Sequence, residues 1–245
     1  MNEFNQQKRG YTQPQGWQQP QEWGTITPPT AADASVSERM GFIRKVYALF
    51  FVGTFFAMGG VMAGFVIPGV IPTVVAHPFI TFLLMMGGVM AAQAARHVPV
   101  VNLVAFFGFT TLTGLVISPF MAYIAYTNPV SIAQAGALTV GIFGGLTAYV
   151  FISKKDFSFM RGMLTTGLIV IVLASALNIF LGSGGLGFGV AVGALLLFSG
   201  YVLYDTSNII KRYQTNEYIA GALDLYLDLW NIFLALLRIL NAGRR

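Results

Sequence analysis

Seven long apolar segments follow one another along the chain. Each is close to the ~20 residues that an α-helix needs to cross a bilayer. They lie near residues 44–67, 79–96, 100–125, 131–152, 162–182, 187–210 and 219–240. Transmembrane β-strands would be about half as long and would alternate in polarity, which these segments do not. The pattern therefore predicts an all-α integral membrane protein with seven spanning helices.

A polar stretch precedes the first span. Residues 1–40 are rich in Gln, Pro and Gly, with Trp17 and Trp23 interspersed. Such a composition does not bury enough apolar surface to offset the entropy of ordering. We expect a disordered tail over 1–40 and a seven-helix transmembrane domain over 41–245. The two tryptophans leave open a contact of this tail with a partner or with the membrane surface.

The loops between the spans alternate between basic and uncharged. Basic residues lie before the first span and after the second, fourth and sixth. They are Arg39, Arg44, Lys45, Arg96, Lys154, Lys155, Arg161, Lys211 and Arg212. The positive-inside rule then places the N-terminus in the cytoplasm. Seven crossings would leave Arg244 and Arg245 outside, so the side of the C-terminus stays open.

Composition supports the membrane assignment and excludes several functions. Hydrophobic residues make up 56% of the chain and charged residues 9%, against about 25% charged in ordinary soluble domains. There is no cysteine, so disulfides and thiolate chemistry are excluded. The net charge of +5 resides in loops between spans, which indicates topology rather than a nucleic-acid partner. No catalytic triad, metalloprotease or nucleotide-binding motif is present, so we expect neither enzymatic activity nor a cofactor.

Three acidic residues fall inside apolar segments. Asp224 and Asp228 are four residues apart and share one helix face, which Asn231 continues. A carboxylate in hydrocarbon costs roughly 2.5–3.5 kcal/mol, so this stripe must face protein or water. The seventh span is therefore predicted to lie within the bundle. Asp205 lies near the basic end of the sixth span, separated from the seventh by a short loop.

The depths of these acids match if the sixth and seventh spans are antiparallel neighbours. Asp205 precedes Lys211 by six residues, about 9 Å along a helix, whereas Asp224 and Asp228 lie roughly 8 Å and 13 Å into the seventh span. Two carboxylates held close in a low dielectric share a proton and titrate as a unit. Such a pair senses pH, or contacts a cation such as Ca²⁺ weakly and transiently, because it offers too few ligands for a closed site. The alternative is purely structural hydrogen bonding between helices.

The remaining polar residues within or beside spans have simpler interpretations. Arg96 ends the second span and, on the residues alone, anchors topology. Asn178 is expected to form a hydrogen bond between helices. Arg238 is expected to extend its side chain towards a head-group region.

Four stretches in chain order resemble a known family. They are LTGLVISPF, KKDFS, VLYDTSNII and LYLDLWNIFLALLRIL. Over residues 40–245 they resemble the bacterial branch of the Bax inhibitor-1 (transmembrane Bax inhibitor motif) family. The resemblance implies a seven-helix bundle with the last helix central and a pH-dependent Ca²⁺ leak controlled by Asp205 and Asp228. It further implies that Arg96 acts as a latch on Asp205, and Asp224 departs from the family pattern.

These observations lead to one hypothesis and two alternatives. The first is a pH-gated cation leak channel of the cell inner membrane, with Asp205, Asp228 and Arg96 as gating residues and Asp224 and Asn231 as auxiliaries. The second is a non-conducting stress regulator that binds a membrane protease or another integral membrane protein, which other bacterial members of the family also suggest. A secondary transporter is less favoured, because neither an inverted repeat nor a facing pair of broken helices is visible in the sequence.

Overall fold

A computed structural model describes residues 28–242 of the chain. Within this part the fold is a bundle of eight α-helices. They are α1 (Val36–Val66), α2 (Val70–Ala76), α3 (Pro78–Ala94), α4 (Val101–Thr127), α5 (Pro129–Ser153), α6 (Arg161–Leu181), α7 (Gly184–Lys211) and α8 (Tyr218–Asn241). Short 3₁₀ turns over Ala95–His97 and Ser158–Met160 extend α3 and precede α6. All of them except the short α2 are long and apolar enough to cross a membrane, which confirms the seven predicted spans.

The first helix begins earlier than the hydropathy pattern indicates. The predicted span starts near residue 44, whereas α1 begins at Val36. The Ser35 hydroxyl accepts a hydrogen bond from the Glu38 backbone N–H at 3.3 Å, and the Glu38 carboxylate accepts one from the Ser35 N–H at 3.2 Å. This capping box satisfies two free donors and starts the helix two turns before its apolar part. The short helix α2, in the loop after α1, was not predicted.

Part of the predicted tail packs on the membrane domain. Residues 1–27 lie outside the described residues, but Ala31 is completely buried. Its backbone N–H donates to the Tyr213 carbonyl at 2.8 Å, and the Thr215 N–H donates to the Pro29 carbonyl at 3.1 Å. Residues 29–31 therefore form a strap across the loop between α7 and α8.

The last helix occupies the centre of the bundle. Helix α8 packs against α1, α4, α5 and α7. Within its most apolar 18-residue stretch 61% of the residues are buried, whereas no other spanning helix exceeds 33%. The central position of the last helix, predicted from its polar stripe, is thus confirmed.

Close backbone approach fixes α1 against α4. A side chain at Gly60 would collide with the Thr111 carbonyl, and one at Gly114 would collide with the Ala57 carbonyl. Small residues at such positions allow van der Waals contact between helices where lipid supplies no hydrophobic driving force. Together α1 and α4 form a rigid wall against which α8 packs.

The two ends of the bundle differ in charge. The start of α1 and the loops around residues 96–100, 154–157 and 212–217 form one end, here called the basic end. Residues 67–77, 128 and 182–183 and the last turn of α8 form the opposite end. Asn128 donates to the Asn241 side chain at 2.9 Å, which ties α8 to the α4–α5 connection there.

Candidate functional site

Helices α7 and α8 bring two carboxyl groups together inside the bundle. The side chains of Asp205 on α7 and Asp228 on α8 are close neighbours, near enough to share a hydrogen bond when one of them carries a proton. Asp205 is 9% exposed and Asp228 is 3% exposed. The carboxyl groups therefore face each other across the interface between the last two helices.

Neighbouring residues hold the α7 side of the pair in place. Thr206 and Ser207 follow Asp205 and are both buried. The Ser207 hydroxyl accepts a hydrogen bond from the Phe157 backbone N–H at 3.1 Å and donates to the Lys155 carbonyl at 3.4 Å. The end of α7 is therefore attached to the loop that precedes α6.

The α8 side of the pair is held by an aromatic anchor. Tyr226, two residues before Asp228, is fully buried, and its hydroxyl is hydrogen-bonded to Thr113 on α4. Its ring meets Phe106 edge-to-face with the centroids 6.3 Å apart. Buried aromatic contacts of this kind fix both the rotation and the depth of a helix. Asp228 is thus presented to α7 by a rigid element.

A proton on one of the two carboxyls would make their contact favourable. Asp228 Oδ2 is buried and has no hydrogen-bond donor among residues 28–242. Two ionised carboxylates in contact would repel each other, and a buried unpaired charge is costly. One shared proton removes the repulsion and supplies the missing donor. The arrangement is chemically suited to holding and releasing a single proton.

A third carboxyl lies one turn closer to the basic end. Asp224 is half-buried and accepts a hydrogen bond from the Tyr213 hydroxyl. Burial raises the pKa of Tyr213, and the charge of Asp224 acts in the same direction, so the phenol remains a donor. Sequence reasoning missed Tyr213, whose only signal is its place in the short loop between the two acidic spans. Asp224 does not join the pair directly, but its charge acts on both members.

The other two predicted residues form no hydrogen bond or ion pair with Asp205 or Asp228 within residues 28–242. Arg96 is exposed in the Ala95–His97 turn, and its Nε donates to His97 Nε2 at 3.0 Å. No carboxylate of the described residues lies within 4.0 Å of Arg96, although its charge acts on Asp224. The structure thus does not bring Arg96 to Asp205.

Asn231 donates to the Leu227 carbonyl at 2.8 Å within its own helix.

The donor set at the pair consists of carboxylate oxygens. Within residues 28–242 there is no group of three or more His, Cys, Asp or Glu side chains able to hold a metal ion. Ca²⁺ takes six to eight oxygen ligands, more than two carboxylates provide. The pair by itself therefore lacks the ligands of a closed Ca²⁺ site.

Comparisons with known proteins identify the family. The family model described as "Inhibitor of apoptosis-promoting Bax1" matches residues 39–245, which include almost the whole helical bundle. An uncharacterised protein of Campylobacter jejuni is 38% identical over 210 residues, covering 84% of this chain and 90% of that protein. Protein lifeguard 4 of Mus musculus is 31% identical over 86% of this chain and 89% of its own length.

A third relative carries the family name itself. Bax inhibitor 1 of Schizosaccharomyces pombe is 34% identical over 227 residues, covering 86% of this chain and 79% of that protein. These bacterial and eukaryotic relatives each match 84–86% of the chain. This protein is a multi-pass membrane protein that belongs to the Bax inhibitor-1 family.

Proposed function

We propose that the protein is a pH-sensitive cation leak channel of the cell inner membrane, gated by Asp205 and Asp228. One observation carries the proposal: two buried carboxyls on neighbouring helices contact each other at the centre of a membrane bundle. Intramembrane acids are costly and mark ion or proton pathways. Ca²⁺, which prefers oxygen ligands, is the cation this chemistry favours. Basic loops at the end where α1 begins support a cytoplasmic N-terminus.

Loss of the shared proton supplies the free energy for gating. With the proton present, a hydrogen bond joins α7 to α8 and holds the path closed. With the proton lost, the two carboxylates repel, and like charges at a generic contact distance of ~4 Å repel by roughly 4 kcal/mol at an effective dielectric constant of about 20. Alternative conformations of a protein commonly differ by a few kcal/mol, so this repulsion is sufficient to change which packing is populated.

The remaining predicted residues have secondary parts in this proposal. Arg96 lies at the basic end and is exposed, so it is available to pair with Asp205 when α7 and α8 separate. Asp224, held by Tyr213, adds negative charge on the cytoplasmic side of the pair and attracts cations. Asn231 lines the same face of α8 as an uncharged polar group.

Cation flux through the purified protein in liposomes tests the proposal. The experiment compares the wild type with Asp205→Asn and Asp228→Asn across a pH series. A matched control is Asp156→Asn, which makes the same change in a loop outside the spans. We expect wild-type Ca²⁺ flux to change by roughly tenfold or more across the transition, and the two intramembrane variants to lose this dependence. A pH-independent wild-type leak, or an unchanged pH profile in Asp228→Asn, would refute gating by the pair.

The second candidate is a non-conducting regulator that binds a membrane protease or another integral membrane protein. The observation that favours it is the name of the yeast relative, which describes an inhibitor rather than a channel. Deletion of residues 1–27 separates the two functions, because it leaves the strap at residues 29–31 intact. A channel retains its flux after this deletion, whereas a regulator that docks through the tail loses its partner in a pull-down.

A further inference from the structure

A cavity lies at the opposite end of the bundle, far from the aspartate pair. Its volume is about 770 Å³, and it is bounded by the ends of α4, α6, α7 and α8. Helix α6 packs chiefly on α7, so the space between α4 and α6 faces the membrane. The volume falls in the range typical of small-molecule sites, roughly 300–1,000 Å³.

The lining of this cavity is divided into an apolar wall and a polar end. Phe120, Ile124 and Phe188 supply part of the wall. Thr127 and Ser183, at the helix ends, belong to the polar part. A space that is apolar along the bilayer and polar at its surface matches an amphiphile rather than a soluble metabolite.

A cation without a protein partner stands in the cavity. The exposed residue Arg238 is part of its lining, and no carboxylate of residues 28–242 lies within 4.0 Å of the guanidinium. The start of α7, where Ser183 caps the Leu186 N–H at 3.3 Å, borders the same space and adds the positive end of a helix dipole. An unpaired charge at membrane depth is costly, so an anion here would be stabilising.

A buried acceptor nearby is also without a partner. Asn178 Oδ1 lacks a hydrogen-bond donor among the described residues, contrary to the expected hydrogen bond between helices. Gly187 makes room for this amide, because a Cβ there would lie 3.0 Å from Asn178 Nδ2. Asn178 and Arg238 both line the cavity, so its polar end combines an amide with a cation.

We propose that this cavity, here called the Arg238 cleft, binds an anionic phospholipid. The lipid phosphate pairs with Arg238, whose planar guanidinium suits phosphate oxygens. The upper part of one acyl chain lies against the apolar wall between α4 and α6. The membrane-facing opening favours a lipid over free phosphate.

Binding of short-chain phosphatidylglycerol to the full-length protein in zwitterionic detergent tests this site. Native mass spectrometry or thermal stabilisation compares phosphatidylglycerol with phosphatidylcholine of the same chain length. Arg238→Gln removes the charge, and Arg44→Gln is the matched control on an exposed arginine near the basic end. We expect Arg238→Gln to weaken phosphatidylglycerol binding about tenfold or more and Arg44→Gln to leave it unchanged.

A second cleft variant and a comparison with inorganic phosphate complete the test. Gly184 lines the cleft with open space around its Cβ position, so Gly184→Leu fills the cleft while keeping Arg238. We expect this variant also to lose phosphatidylglycerol binding. Equal binding of the two lipids, or wild-type binding in either cleft variant, would overturn the proposal. Inorganic phosphate that binds as tightly as phosphatidylglycerol would overturn the assignment to a lipid.

Discussion

Helices α6 and α8 show how differently two membrane spans are used. Helix α6 is the most apolar of the spans in the described part of the chain, yet only 6% of its central stretch is buried by protein. Helix α8 is the least apolar, and 61% of its stretch is buried. In a bilayer the surrounding solvent is itself apolar, so hydrophobicity does not drive a helix to the centre. The polar groups of α8 favour its central position, because they require protein around them.

The same contrast appears along α8 itself. Asp228 is enclosed by protein and meets another carboxyl, whereas Arg238, about 15 Å further along the helix, reaches a cleft that opens towards the membrane. A buried acid finds its partner within the bundle. A cation near the helix end finds no carboxylate within the described residues and leaves room for an external anion.

The largest expected effect is that of a Leu→Ala substitution in α8, compared with the same substitution in α6. Leu223 in α8 is fully buried, whereas Leu173 in α6 is 64% exposed to the membrane region. We expect Leu223→Ala to lower the free energy of unfolding by about 2–5 kcal/mol, because it leaves a cavity. Leu173→Ala should change it by no more than about 0.5 kcal/mol. Reversible unfolding in mixed micelles measures both, and equal losses would contradict the central placement of α8.

The smallest expected effect concerns an acid outside the membrane. The Ser158 backbone N–H donates to Asp156 Oδ1 at 2.8 Å, and Arg212 Nη2 lies 3.1 Å from Oδ2. These contacts lower the pKa of Asp156 to about 2, and the Ser158 hydrogen bond makes the largest contribution. Because the native pKa is below the usual 3.8, the stabilisation is complete above pH 4 and disappears as the pH falls towards 2.

This pH dependence is measurable by thermal unfolding. Asp156 is substantially exposed, so the contact is worth only about 0.2–1 kcal/mol. We expect Asp156→Asn to lower Tm by roughly 1–2 °C at neutral pH and the difference to shrink below about pH 4. A difference that stays constant down to pH 3 would show that Asp156 stabilises through shape rather than charge.

Several features of this fold could be predicted from the sequence alone. Hydropathy defined the spans because each contains enough apolar residues to cross a bilayer, and the Asp224–Asp228–Asn231 stripe placed the last helix at the centre. The depths of Asp205 and Asp228 followed from helix rise and a short connecting loop. These features depend on local periodicity, which the chain displays directly.

Other features depend on contacts that no periodicity encodes. The peripheral position of α6 could not be inferred, because its composition does not show which helices it contacts. The strap at residues 29–31 is held by backbone hydrogen bonds to Tyr213 and Thr215, which are independent of side-chain type. Tyr213 meets Asp224 only because the α7–α8 loop turns back on itself. Arg96 is the opposite case: a pairing with Asp205 was expected, but the described structure contains no ion pair between them.

The central claim is that Asp205 and Asp228 share one proton, and infrared spectroscopy of the protein in lipid tests it most directly. The C=O stretch of a protonated carboxyl is followed across a pH series in the wild type, Asp205→Asn, Asp228→Asn and the loop control Asp156→Asn. We predict a protonated-carboxyl band whose pH midpoint shifts by more than about one unit in either intramembrane variant and is unchanged in the control. Identical midpoints in all four proteins would contradict the account.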